Sequence, residues 1–272
     1  MNLNRRGASP PLRFFFGLML LLGACGAAPS LFARGGETRT WTIVGVKREA
    51  LVYGSDDRGG KVIPRPLVFV FHGHGGTMKN AAQTFHLHEL WPEALVVYPQ
   101  GLPTSGKLVD REGRQAGWQF AVGEQKDRDL KFFDAVLDTL KHEGRVDLAR
   151  VYVTGHSNGG AFSLLLWLER GKQIAAYAPS SAVMRPPYTK LQAARVLFIA
   201  GEKDELVKYE WQRAMYDALW RRFECSPPQK NDKGLFIADS KSGAHLVAFV
   251  HTGGHTFPPE APQLIVDFFQ QP

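Results

Sequence analysis

A serine stands at position 157 inside the stretch VYVTGHSNGGAFSLLL (residues 151–166), between two apolar runs and with Gly155, Gly159 and Gly160 around it. The first run is short and β-branched, as a buried strand is. The second, from Ala161 to Leu168, is apolar on every face, as a buried helix is. A chain that turns sharply from one into the other needs positions without a Cβ, both for the turn and for close approach of helix and strand. Gly155-x-Ser157-x-Gly159 in that setting is the pattern of a nucleophile elbow, a tight corner that presents a hydroxyl above the end of a sheet.

A serine hydroxyl is a weak nucleophile at neutral pH and needs a base, itself held by a carboxylate. On this type of corner the chain order is serine, acid, histidine. Of the nine histidines, His245, His251 and His255 follow Ser157. His245 and His251 fall within a strand pattern, whereas His255 follows Gly253-Gly254 in a loop just past it and is the expected base. For the acid, the apolar run RVLFIA ends at Ala200 and is followed by GEKDELV. Asp204 occupies that loop and is the expected carboxylate, with Glu202 and Glu205 as neighbours able to take the role in principle.

Attack on a carbonyl generates an oxyanion, which main-chain N–H groups can stabilise. The segment FHGHGG (71–76) follows an apolar run and has the flexible backbone such a pocket needs. His72 and His74 in it resemble metal ligands at first sight. No acidic or histidine partner stands at suitable spacing elsewhere, so no metal is expected.

The elements that position these residues alternate along the chain. Strands are expected at 41–46 and 49–53, from Pro66, from Leu95, and at 150–154, 175–178, 195–199 and 245–251. Helices are expected at about 127–142, where Leu130, Phe133, Val136, Leu137 and Leu140 recur at helical spacing, after Ser157, near 209–223, and from Pro262. Such alternation predicts an α/β fold: a doubly wound, mainly parallel sheet with helices on both faces, whose ligands collect at the carboxyl ends of the strands. With 272 residues, one catalytic domain over 40–272 accounts for the pattern.

The composition, 44% apolar and 22% charged, is that of a globular domain. The net charge is +7, but Lys and Arg are dispersed rather than clustered, which argues against a nucleic-acid partner. Residues 1–24 read as a signal peptide: Arg5, Arg6 and Arg13 precede the apolar FFFGLMLLLGA, too short to span a membrane comfortably. Residues 25–39 read as a linker. LGAC at 22–25 resembles a lipoprotein box, so the mature chain is expected to be secreted, periplasmic or anchored to a membrane through a lipidated Cys25. With only Cys25 and Cys225 present, no internal disulfide is expected after processing.

The set FHGHGG, VVYPQGL, GWQF, VTGHSNGG, GEKDELV and GGHTFP, spread over residues 64–260, resembles the secreted esterase family of α/β-hydrolases that contains poly(3-hydroxybutyrate) depolymerase-like enzymes and feruloyl and acetylxylan esterases. The resemblance implies Ser157 as nucleophile, Asp204 as acid, His255 as base, and the main-chain N–H groups of His74 and Asn158 as the oxyanion hole. It places Trp118 beside the substrate cleft and implies no cofactor. Several relatives carry a cysteine at the position of His74 and a disulfide joining counterparts of Cys225 and a residue near Ser240; this sequence lacks those partners, which weighs against a true polyester depolymerase. The implied substrate is a carboxylic ester, either a hydroxyalkanoate oligomer or polyester or a feruloyl or acetyl ester of plant polysaccharide. A serine peptidase on the same fold and a non-catalytic surface binding protein are the alternatives.

Overall fold

The computed structural model describes residues 35–54, 62–106 and 108–271. The expected signal peptide and Cys25 lie outside them. In chain order the strands are β1 (Glu37–Ile43), β2 (Val46–Tyr53), β3 (Arg65–Phe71), β4 (Leu95–Pro99), β5 (Leu102–Pro103), β6 (Ala116–Gly117), β7 (Val146–His156), β8 (Ala176–Ser180), β9 (Arg195–Gly201), β10 (Gln229–Lys230), β11 (Phe236–Asp239) and β12 (His245–His251). The α-helices are α1 (Met78–Phe85), α2 (Leu87–Leu90), α3 (Arg128–His142), α4 (Asn158–Arg170), α5 (Tyr209–Arg222) and α6 (Ala261–Gln270).

Among the described residues ten strands form one sheet in the order β1-β2-β4-β3-β7-β8-β9-β12-β11-β10. The middle six, β4 to β12 in that order, run parallel, and antiparallel hairpins close both edges. The parallel strands are apolar on both faces because both are covered. In β3, Leu67, Phe69 and Phe71 join one core with α3, α4 and α5, while Val68 and Val70 join a second core with α1 and α6. That division is the period-two alternation of a strand between two helical layers, and it is the architecture of an α/β-hydrolase.

The expected boundary between linker and catalytic domain at residues 39 and 40 moves forward. β1 begins at Glu37 and pairs in register with β2 through Glu37–Val52, Thr38–Leu51 and Arg39–Ala50. The strand expected over 41–46 thus starts four residues earlier and ends at Ile43; the polar side chains of its first residues hid that start, since only one face of this edge strand is covered. Val44 and Gly45 turn the hairpin with both residues at positive φ, the geometry that two-residue hairpins require. Helix α1 also escaped the sequence reading; it is short and capped by Thr77, whose hydroxyl accepts from the Asn80 N–H at 3.1 Å.

Candidate active site

Each chemically important segment leaves the carboxyl end of a parallel strand. Ser157 follows β7 directly, the loop carrying His74 follows β3, Asp204 follows β9 and His255 follows β12. These strands lie close together in the sheet, so residues far apart in sequence converge on one edge.

Ser157 has φ 57° and ψ −119°, a left-handed conformation that costs energy for a residue with a Cβ and persists only where the surroundings enforce it. The enforcement is visible on either side. The Ser157 N–H donates to Ser180 O at 2.8 Å, and its carbonyl accepts from Ala161. A Cβ on Gly155 would lie 2.5 Å from the carbonyl of Gly159, and one on Gly160 would lie 2.7 Å from Ser180 O. Helix and strand therefore meet backbone to backbone, and Ser157 is lifted out of the corner.

His255 stands at 2.8 Å from Ser157, Nε2 to Oγ, and its Nδ1 lies 2.8 Å from Asp204 Oδ2. A carboxylate can only accept, so Nδ1 carries the proton and Nε2 is free to accept from the serine hydroxyl. Asp204 is held in turn by the N–H groups of Leu206 (3.0 Å) and Val207 (2.8 Å) on Oδ1, and by Gln212 Nε2 (3.3 Å) on Oδ2. It is 4% exposed, whereas Glu202 and Glu205 point to solvent. The loops meet because Lys203 N donates to Gly253 O at 3.0 Å, and a Cβ on Gly201 would sit 2.6 Å from that carbonyl. His245 is elsewhere, paired with Asp239 at the opposite end of β12.

On the other side of Ser157, the loop after β3 approaches so closely that a Cβ on Gly73 would be 3.6 Å from the serine Cβ. Asn158 is the first residue of α4, where an N–H has no intrahelical acceptor. His72 is buried and kept neutral; burial lowers its pKa to about 4. Its Nδ1–H donates to Gly73 O at 2.7 Å and its Nε2 accepts from Gly101 N at 2.9 Å. It ties the loop to the end of β4, and both ring nitrogens are occupied. His74 is bonded to Asp110 instead. Among the described residues no group of three or more potential ligands could hold a metal.

Trp118 is corrected. The side chain is fully buried, stacked on Phe162 and edge-on to Phe71, with its indole N–H donating to His72 O at 2.9 Å. It is a core side chain and does not line the cleft. What the GWQF segment brings to the site is main chain: Trp118 N donates to Asn158 Oδ1 at 2.7 Å and Trp118 O accepts from Asn158 Nδ2 at 3.0 Å. His156, Gln212 and Asp110 were not anticipated. His156 immediately precedes the nucleophile; Gln212 and Asp110 have no local signal, since their partners are 8 and 36 residues away. Next to His156, the residue before the serine, a cleft of about 140 Å³ is lined by Gly73, His74, Thr84, Phe85, His156 and Phe257, among others.

The sequence is 32% identical over 246 residues to feruloyl esterase D of Neurospora crassa, a match covering 85% of this chain and 81% of that one. The chain belongs to the feruloyl esterase family. This esterase is also 26% identical over 199 residues to feruloyl esterase C of Emericella nidulans, covering 71% of this chain and 70% of the relative. Among solved structures, the acetyl xylan esterase from Aspergillus awamori superposes on the esterase with a TM-score of 0.64 at 14% identity, covering 86% of this chain and 99% of that one. No family model matches the sequence. The protein is a carboxylic ester hydrolase of the α/β-hydrolase fold.

Proposed function

We propose that Ser157, His255 and Asp204 are the catalytic triad of this esterase, with the main-chain N–H groups of His74 and Asn158 as its oxyanion hole. The observation that carries the reading is the unbroken chain Ser157–His255–Asp204, with both links at 2.8 Å. His255 Nε2 takes the hydroxyl proton as Ser157 Oγ attacks the ester carbonyl. The carbonyl oxygen becomes an oxyanion and accepts from the two N–H groups. His255 then gives its proton to the leaving alcohol, and Ser157 is left acylated. Water repeats the sequence in the second half, with His255 again as base and then acid. Asp204 stays ionised throughout and stabilises the imidazolium.

The substrate class proposed is a feruloyl or acetyl ester of plant polysaccharide, supported by the activities named for the relatives. Export follows from the leader, and anchoring from a lipidated Cys25. The deciding experiment is hydrolysis of a panel of p-nitrophenyl acetate, methyl ferulate, acetylated xylan, hydroxybutyrate oligomers and a peptide, by wild type and Ser157→Ala. Turnover of methyl ferulate or acetylated xylan above the other natural substrates, abolished by Ser157→Ala, is expected. Preference for hydroxybutyrate or for peptide refutes the substrate class. A soluble mature protein beginning after Cys25 refutes the anchor.

A further inference from the structure

The side chain of His74 is buried, 6% exposed, in a closely packed setting. Its Nε2 lies 3.1 Å from Asp110 Oδ2. Since the carboxylate accepts, the Nε2–H tautomer is present. Asp110 is fixed by the N–H groups of Gln115 (2.8 Å to Oδ2) and Gly113 (3.1 Å to Oδ1), and it forms a two-way main-chain bridge with Gly106. The Gln115 N–H, with His74 adding to it, holds the Asp110 carboxyl below its usual range. The ring of His74 packs closely on two glycines: a Cβ on Gly106 would be 3.1 Å from it, and one on Gly117 would be 2.7 Å from Nδ1. The residue after His74 is pinned as well, because Gly75 N donates to Ala116 O at 2.7 Å.

The same small ribbon, β5 paired with β6, also holds Asn158. The Asn158 amide is bonded at both ends to the main chain of Trp118, one residue past β6. A Cβ on Gly117 would lie 2.8 Å from Asn158 Oδ1 as well as 2.7 Å from His74 Nδ1. One residue thus abuts the side chains of both oxyanion-hole residues, which are 84 positions apart in sequence.

We propose that the β5–β6 ribbon is the brace of the oxyanion hole, with Asp110 and the His74 imidazole as positioning residues that aim the His74 N–H. The proposal rests on the triad and oxyanion hole proposed above. Neither the carboxylate nor the imidazole is the oxyanion donor; their effect reaches the reaction through the peptide plane between Gly73 and His74. Interactions with an oxyanion exist only in the tetrahedral state, so loosening the brace lowers kcat and leaves KM nearly unchanged.

The test is steady-state kinetics with p-nitrophenyl acetate, together with inhibition by phenylboronic acid, whose tetrahedral adduct on serine places an oxygen in the same pocket. Asp110→Ala and His74→Ala are each expected to lower kcat about 10- to 100-fold, with KM within about twofold and boronate affinity weakened in step. Asp110→Asn, which still offers an oxygen to the Gln115 N–H, is expected to recover most of the loss. The double variant should be little worse than either single one, because both break one link. A kcat for Asp110→Ala within twofold of wild type, or a loss confined to KM or to the fraction of titratable active sites, overturns the proposal. If Asp110→Ala does not fold, His74→Ala and Asp110→Asn carry the same comparison. Full activity in Ser157→Ala would instead overturn the triad on which the proposal rests.

Discussion

The imidazole of His156 lies against that of His255 with ring centroids 5.0 Å apart, and it donates or accepts at 3.1 Å with the Ser180 hydroxyl. The proposed base thus has a second histidine as its neighbour. The two do not compete for charge, because burial, reinforced by His255, lowers the pKa of His156 to about 3.

A dependence of stability on pH follows. His156 and His72 titrate near 6.5 when unfolded and near 3 and 4 when folded. Between those values the unfolded chain binds protons that the folded chain refuses, so stability rises with pH and is lost as pH falls below 6.5. Each group contributes a slope of about 1.4 kcal/mol per pH unit within its window. Thermal melting from pH 8 to pH 4.5 should show Tm level at the top and falling below about 6.5, and His72→Gln should flatten the fall. A Tm that is constant from pH 7 to 5 contradicts the burial of neutral imidazoles.

Ser157→Ala should reduce kcat by about 10⁶-fold, because a triad acts as a unit and only binding and the oxyanion hole remain. The measurement is turnover of p-nitrophenyl acetate by purified variant, with a fluorophosphonate label confirming the absence of a reactive serine. Residual activity within a hundredfold of wild type places the nucleophile elsewhere.

Asp204→Asn should lower kcat by about 10⁴-fold, since an amide can present its NH₂ to Nδ1 and favour the wrong imidazole tautomer. Glu202→Gln and Glu205→Gln, both on exposed side chains, should remain within about twofold of wild type, as changes that leave the orienting carboxylate untouched do. Kinetics of the three variants side by side decide the identity of the acid, and a larger loss from either glutamate reverses it.

Gly159→Ala is expected to abolish the elbow rather than trim it. The new methyl would enter the space of the Phe71 and His72 carbonyls, the latter at 2.6 Å, and backbone on both sides has no room to yield. Loss of both activity and soluble expression is expected. A folded, active Gly159→Ala would mean that α4 and β3 can separate without disturbing Ser157.

Away from the site, Arg48 and Asp129 form a buried ion pair, Nη2 to Oδ1 at 2.9 Å, with both side chains fully inaccessible. Arg48 also donates to the carbonyls of Arg128 and Gln100 and lies 4.3 Å from the Phe132 ring centroid. Asp129 accepts from Gln119 N at 2.9 Å. Asp129→Ala would strand the guanidinium, at a cost of about 3–5 kcal/mol. Urea unfolding measures it; a change below about 1 kcal/mol would show that water reaches the pair.

The strand–corner–helix around Ser157 was legible because its signals are local. Glycines at 155, 159 and 160 can be read without knowing that they face the carbonyls of β3 and β8. Asp204 and His255 could also be singled out, since a loop at a strand's end can be recognised from the apolar run before it, and the fold brings both within hydrogen-bond reach of one another. The helical layers followed from periodicity, and α3, expected over 127–142, runs from Arg128 to His142. Trp118 shows the limit. An aromatic in a motif can face a cleft or the core, and only the stacking of Phe71 and Phe162 against it decided for the core. The choice of Asp204 over Glu202 and Glu205 likewise became physical only when the fold buried one carboxylate and left its neighbours in water. The brace of Asp110 on His74 and Trp118 on Asn158 has no local pattern at all, because each bond joins segments 36 and 40 residues apart. Sequence determines the groups that can react and the strands that carry them; the crossing of loops at the sheet edge determines which of those groups touch.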